Sequence, residues 1–301
     1  MAIAIIAEYN PFHFGHKYQL DYVKKHFPND EIIVILSGNY VQRGEIAIKS
    51  FEERKNIALK FGANKVIELP FEYATQAAHI FAQGAIKIIY QNKIDKLIFG
   101  SESNDVDSLF EIANIIKHQN QEYKKKLKFY LKQGFSFPKS NYEALKELTN
   151  KEIILPNDIL ALEYVKQIVE NNYPIKVYSH KRTIEYNSDE INGIYTSASN
   201  IRKMVWNNQD VSKFGPMDFT TISNKIESYY KDFQTIIRNT SKEKLASNKM
   251  ISEGMENLFI KNIDSKTYEE FVDKCTSKRY TSSRIKRVIL YLLLNKGYPK
   301  N

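Results

Sequence analysis

Two histidines flank a glycine near the start of the chain, in the run His13, Phe14, Gly15, His16. Imidazoles at this spacing can donate hydrogen bonds to the oxygens of a reacting phosphate. Glycine between them lets a phosphate approach the backbone closely. A second cluster lies far along the chain in SASNIRK, where Ser197, Ser199 and Arg202 fall at a predicted helix start. Unpaired N–H groups at a helix N-terminus bind anions, and Arg202 adds a charged clamp. Two such turns fit the two ends of a triphosphate. The competing reading of the first is a pair of surface histidines on a helix start.

Those side chains need a sheet and helices to position them. Residues 2–8 read as a buried strand that ends in a turn on Asn10 and Pro11, and residues 16–27 follow with helical spacing at Leu20, Val23 and Phe27. Further strands are predicted at 31–38, 63–70, 95–103 and 174–182, mostly apolar as buried parallel strands are. Helices are predicted at 51–62, closed by Gly62, at 75–91, as a pair over 105–133, and at 155–172, capped by Asn157 or Asp158. Residues 134–151 show less regularity. Alternating strands and helices predict an α/β fold, a Rossmann-like doubly wound parallel sheet, over 1–210. In such a sheet ligands sit at the carboxyl ends of the strands. The loop SGNYVQRGE, with Asn39, Gln42 and Arg43, and the turn at Gly100 both fall there, as candidate substrate contacts.

Residues 211–301 carry no strand pattern. Helical spacing at 219–238, 250–263, 267–276 and 281–295 predicts a smaller all-helical second domain. Of the net charge of +9, the first 210 residues hold 27 basic and 25 acidic side chains and the remainder 17 and 10. Lys278, Arg279, Arg284, Lys286 and Arg287 surround Tyr280 at the start of the last helix. Such a cluster can grip a phosphate backbone and stack a base. A packing helix with a basic, solvated end is the alternative.

The single cysteine, Cys275, excludes an intramolecular disulfide and a cysteine-based metal cluster, and no residue is assigned to a resident metal. The apolar residues 1–9 lack a basic leader and a cleavage site, and no apolar run reaches the length of a membrane span, so a cytoplasmic protein with no membrane partner is expected. The chain has no G-x-x-x-x-G-K-[ST], G-x-G-x-x-G or G-x-S-x-G pattern, which argues against a P-loop ATPase, a dinucleotide dehydrogenase and a serine hydrolase. From the residues alone three functions stay open: an ATP-dependent enzyme acting on RNA, a small-molecule nucleotidyltransferase acting on a phosphorylated metabolite, and a non-catalytic RNA-binding protein. The basic helical third favours RNA over a small metabolite.

H-x-G-H after a first strand resembles the nucleotidyltransferase superfamily. AEYNPFHFGH, SGNYVQRGE, ELPFEYATQAA, FGSES, LPNDILALEY, SASNIRK and RYTSSRIKRVILYLLL together resemble the bacterial tRNA(Met) cytidine acetate ligase family. That resemblance implies an enzyme that makes acetyl-adenylate from ATP and acetate, with Mg²⁺, and then acetylates N4 of the wobble cytidine of elongator tRNA(Met). It implies catalytic roles for His13, His16 and Arg202. It implies nucleotide contacts at Ala7, Glu8, Tyr9, Asn10, Pro11, Phe12, Gly15, Gly100, Asn157, Lys181, Arg182 and Ser199. Asn39, Gln42, Arg43, Arg279, Arg284, Lys286 and Arg287 are the expected tRNA or substrate contacts. The chain departs from the pattern at Asp158, where the family has asparagine, and at TSASNIR, and its C-terminal half is shorter than the family leads one to expect. The oligomeric state is not legible.

Overall fold

The computed structural model describes residues 1–149, 155–181, 191–252 and 254–298. The first half runs β1 (Ala2–Ala7), α1 (Phe14–His26), β2 (Glu31–Ser37), β3 (Tyr40–Val41), β4 (Glu45–Ile46), α2 (Phe51–Lys60), β5 (Lys65–Leu69), α3 (Phe71–Ala74), α4 (Ala78–Gln91) and β6 (Lys96–Ser101). Then come α5 (Val106–His118), α6 (Asn120–Lys132), α7 (Phe137–Thr149), α8 (Pro156–Glu170), β7 (Lys176–Lys181) and α9 (Ala198–Trp206). The last part holds α10 (Tyr230–Arg238), α11 (Lys242–Ala246), α12 (Met255–Asn262), α13 (Tyr268–Cys275) and α14 (Ser282–Leu294).

Five parallel strands pair in the order β5-β2-β1-β6-β7. The chain reverses direction across the sheet between β1 and β6, which opens a crevice at their carboxyl ends. Side chains alternate along each strand. Ala4, Ile33, Ile35, Leu97 and Phe99 therefore face one apolar layer with α4, α5 and α8. Ile3, Ile5, Val34, Leu36 and Ile98 face the other, with Leu20 and Val23 of α1 and Ala58 of α2. The doubly wound α/β expectation holds.

The last part is helical among the described residues, with a core of its own in which Phe233, Phe259 and Phe271 meet ring to ring at 5.2 to 5.9 Å. No described helix is long and apolar enough to cross a membrane.

Several local expectations are corrected. The stretch 134–151 is not irregular over 137–149. It forms α7, whose buried stripe includes the polar Ser140 and Asn141, so apolar periodicity is weak there. The 75–91 helix starts later, at Ala78 as α4, and a separate short helix, α3, precedes it. The 219–238 helix shrinks to a 3₁₀ turn at Ile226–Tyr229 and α10. The polar loop after β2 is a small hairpin, with Tyr40 opposite Ile46 and Val41 opposite Glu45. Neither Asn157 nor Asp158 caps α8, because both side chains turn to the β6 end instead.

Candidate active site

The turn after β1 is fixed by a reciprocal cap. The Gly15 N–H donates to His13 Nδ1 at 3.0 Å, and the His13 N–H donates to His16 Nδ1 at 3.2 Å. A neutral imidazole that accepts at Nδ1 carries its proton on Nε2. Both rings therefore present Nε2–H as a donor. They lie 3.9 Å apart, centroid to centroid, with Tyr9 packed 4.7 Å from His16. Gly15 is a close approach: a Cβ there would meet His13 Cε1 at 2.8 Å. Tyr9 takes a positive φ of 47° and the Asn10–Pro11 bond is cis.

A cavity of about 390 Å³ opens at the β1–β6 crevice. Ala7, Glu8, Tyr9, Asn10, His13 and His16 form its β1 side, and Gly100 its β6 side. Asn157 enters from α8, Ser199 and Arg202 from α9, and Gln42 and Arg43 from the hairpin. Predicted residues from five separate segments thus converge. A smaller adjoining pocket of about 40 Å³ is lined by Gly15, both histidines, Gly100 and Ser197. Phe81, Phe99, Ile159 and Leu160 make an apolar wall that sequence reasoning did not single out.

The helix start predicted at Ser197 and Ser199 forms as α9. Ser197 caps α9, its Oγ accepting the Asn200 N–H at 3.1 Å and lying 2.9 Å from Ser199 Oγ. Arg202 Nη1 donates to the Asn10 carbonyl at 2.6 Å, which ties α9 to the β1 turn. Its buried Nε has no hydrogen-bond partner among the described residues.

Glu8 accepts the Gln42 N–H at 2.7 Å. Burial pushes its carboxyl above the ordinary range, opposed by that hydrogen bond and by Arg202 and Arg43. The Gln42 side-chain nitrogen is buried in the cavity wall with no partner among the described residues. Tyr164 also lines the cavity, and burial raises its phenol far above the usual value.

Asn157 and Asp158 form a clamp with the turn after β6. Asp158 Oδ1 accepts from Ser101 Oγ at 2.5 Å and from the Glu102 N–H at 3.1 Å, while Oδ2 accepts the Ser103 N–H at 3.0 Å. In return Glu102 Oε1 accepts from Asn157 Nδ2 at 2.5 Å. The acid at position 158 takes donors on both oxygens, one more acceptor than asparagine offers.

Arg54 escaped sequence reasoning. It is fully buried and donates to the carbonyls of Lys49 (3.0 Å), Glu8 (2.6 Å), Ser37 (3.0 Å) and Gly38. It knits the carboxyl ends of β1 and β2 to the start of α2. Burial lowers its pKa to about 10.

Other expected contacts lie outside the cavity. Pro11 and Phe12 are buried behind the turn, with Phe12 stacked on Phe61 at 5.6 Å. Asn39 is exposed, its Oδ1 accepting the Phe51 N–H at 2.7 Å. Lys181 is exposed at the end of β7, and Arg182 lies outside the described residues. Arg279 is exposed, and Arg284 Nη2 donates to Ser252 Oγ at 2.6 Å. Lys286 pairs with Glu45 at 3.0 Å and Arg287 Nη1 donates to the Gln42 carbonyl at 3.2 Å, so both hold the hairpin.

A parallel sheet with two helix N-termini and a histidine pair at its reversal point defines a nucleotidyltransferase. The model of the family described as HIGH Nucleotidyl Transferase matches residues 1–299. A protein of Mycoplasma mobile named tRNA(Met) cytidine acetate ligase is 56% identical over 98% of this chain and 99% of its own length. The protein of the same name from Caldicellulosiruptor saccharolyticus is 37% identical over 98% of this chain but 77% of its own. The crystal structure of Thermotoga maritima TmcAL bound with alpha-thio ATP superposes with a TM-score of 0.86 at 29% identity, covering 98% of this chain and 75% of that one. The chain belongs to the HIGH nucleotidyl transferase family, among the tRNA(Met) cytidine acetate ligases. Its shortness relative to the Caldicellulosiruptor and Thermotoga proteins is shared with the Mycoplasma mobile relative.

Proposed function

We propose that this protein activates acetate with ATP and transfers the acetyl group to N4 of the wobble cytidine of elongator tRNA(Met), in the cytoplasm. The observation that carries the first step is the reciprocal histidine cap, which fixes both rings through Nδ1 at the start of α1, in the wall of the cavity. The relatives' shared name supports the acceptor.

In the first step an acetate oxygen attacks the α-phosphorus of ATP, the bond to the bridging oxygen breaks, and pyrophosphate leaves with the electron pair. His13, His16 and the α1 N-terminus stabilise charge on the α-phosphoryl oxygens, and Ser199 with Arg202 hold the departing end. This is positioning plus electrostatics. The adenine packs on the wall of Phe99, Ile159 and Leu160, with Asn157 and Gly100 at its edge. Mg²⁺ bound with the triphosphate would add charge neutralisation at the end that Ser199 and Arg202 hold. In the second step the cytidine amine attacks the acetyl carbonyl carbon, AMP leaves with the electron pair, and the amine gives up a proton. Residues 211–301 form the tRNA-binding part of the division at residue 210, with Lys278 and Arg279 exposed just before α14 and Arg43 in the cavity wall.

The test is ATP–pyrophosphate exchange with Mg²⁺ and a panel of small carboxylates and metabolite phosphates. Exchange that depends on acetate is expected. Exchange that depends on a metabolite phosphate instead would overturn the proposal in favour of a small-molecule nucleotidyltransferase.

A further inference from the structure

A second groove of about 290 Å³ runs from the cavity mouth across α9 toward the helical part. Glu45, Ser199 and Arg202 line both it and the first cavity, so the two are continuous. Its other walls include Lys203, Trp206, Lys225 and Glu227 with Ile46 and Ile226. The Lys225 ammonium lies 4.2 Å from the centroid of the Trp206 ring. Trp206 Nε1 is buried with no hydrogen-bond partner among the described residues.

We propose that this groove receives the target nucleotide of the RNA, flipped out of its loop. The inference rests on the acetylation reading and adds the subsite that reading lacks. Four features match a cytidine and its strand. The indole of Trp206 offers a plane for a base, as aromatic side chains do for unstacked nucleotides, once the Lys225 ammonium over its ring swings to a phosphate. Lys203 and Lys225 place two cations beside it for the flanking phosphates. Glu45 and Glu227 supply carboxylates, the groups that accept a hydrogen bond from the cytosine N4 amine. Uracil presents a carbonyl oxygen at that position, which the same carboxylates repel. Finally, Glu45 lines both the groove and the cavity, so a base read by that carboxylate has its amine at the opening into the cavity where the acyl group is activated.

Burial raises the Glu227 carboxyl above the usual range, with the charges of Glu45 and Glu269 adding to it and Lys286 opposing it, and Glu45 is itself held by Lys286 at 3.0 Å. Lys286 thus anchors one of the two reading carboxylates from α14.

Trp206→Ala, Trp206→Phe and Glu227→Gln separate the steps. Three quantities are read: acetate-dependent ATP–pyrophosphate exchange, acetyl transfer to tRNA(Met), and binding of tRNA(Met) transcripts with cytidine or uridine at the target position. Trp206→Ala is expected to leave exchange within about twofold and to slow transfer at least about tenfold, the size of a lost base stack. Trp206→Phe restores most of the transfer. Wild-type protein is expected to prefer cytidine over uridine by about tenfold or more, and Glu227→Gln to erase most of that preference. Transfer and preference unchanged in Trp206→Ala and Glu227→Gln would overturn the groove assignment. So would loss of exchange and transfer together in Trp206→Ala, which would make Trp206 a structural residue. Absence of acetate-dependent exchange in the wild type, with the cytidine preference intact and sensitive to both variants, would refute the acetate reading and uphold the groove.

Discussion

Gly44 lies against the backbone of Arg287, although 243 positions separate them in the chain. A Cβ on Gly44 would stand 2.4 Å from the Arg287 nitrogen and 2.7 Å from the Lys286 carbonyl carbon. The β3–β4 hairpin is therefore seated directly on α14, and the Lys286–Glu45 pair and the Arg287–Gln42 hydrogen bond fasten it there. Through the Gln42 N–H to Glu8, the last helix reaches the end of the first strand. The basic start of α14 thus does two jobs. Lys278 and Arg279 face solvent, while Lys286 and Arg287 shape the mouth of the cavity.

Gly44→Ala tests this seating. Gly44 has φ +78°, a region that costs an L residue roughly 1–2 kcal/mol. The added methyl must also push the hairpin off α14, since its near neighbours are backbone atoms that cannot rotate away. Urea unfolding is expected to show a loss of at least about 1 kcal/mol. Acetate-dependent exchange should fall with it, because Glu8 and Gln42 shift. An unchanged midpoint would mean the hairpin is not held against the helix.

Arg54 carries a larger share of stability. Arg54→Met keeps much of the volume but strands the carbonyls of Glu8, Ser37, Gly38 and Lys49 in a buried setting. Each buried acceptor left without a donor costs about 1–3 kcal/mol. A total loss of at least about 3 kcal/mol in urea unfolding is expected on that basis. Arg54→Lys should recover only part of it, since one ammonium cannot span acceptors arranged around a planar fork. A loss below about 1 kcal/mol in Arg54→Met would show that water replaces the guanidinium.

The contrast between these residues and the histidines explains what the sequence disclosed. The turn that holds His13 and His16 was legible because it is local: an apolar strand, a turn and a helix start lie within fifteen residues, and the cap links positions two and three apart. Ser197 and Arg202 were legible for the same reason. The strands were legible because the parallel sheet needs continuous apolar runs. Arg54 was not. In FEERKNIALK it reads as one more charge on a solvated helix, and only tertiary packing reveals that it is fully buried. Lys286 and Arg287 read as a basic helix end because charge is visible in a sequence, and their hold on Glu45 and the Gln42 carbonyl is visible only in the fold. Asn157 and Asp158 read as caps because Asn and Asp favour helix starts, but the turn after β6 offered competing partners.

Glu8 predicts a pH effect of defined sign. Its carboxyl is raised by burial, so between the ordinary glutamate value and the raised one the folded protein holds a proton that the unfolded chain has released. Stability then falls as pH rises through that window. Glu8→Gln keeps an oxygen for the Gln42 N–H and removes the titration. The stability of the wild type relative to Glu8→Gln is therefore expected to decline from about pH 4.3 upward and to level off above the raised value. Urea unfolding at a series of pH values measures it. A relative stability that rises with pH would place the Glu8 pKa below the ordinary value and reverse the argument.

His16 is the sharpest test of the reacting centre, because its two ring nitrogens have separable tasks. Nδ1 accepts the His13 N–H and so helps cap α1, while Nε2–H is the donor proposed for the α-phosphate. His16→Ala removes both. Loss of the cap costs about 1 kcal/mol, and loss of a transition-state donor slows exchange on the order of 100- to 1000-fold. His16→Asn places an oxygen near the position of Nδ1 and nothing near that of Nε2. It should recover the stability measured by urea unfolding and leave exchange as slow as in His16→Ala. If His16→Asn restores exchange along with stability, His16 acts only by shaping the turn, and the phosphate donors must be His13 and the backbone of α1.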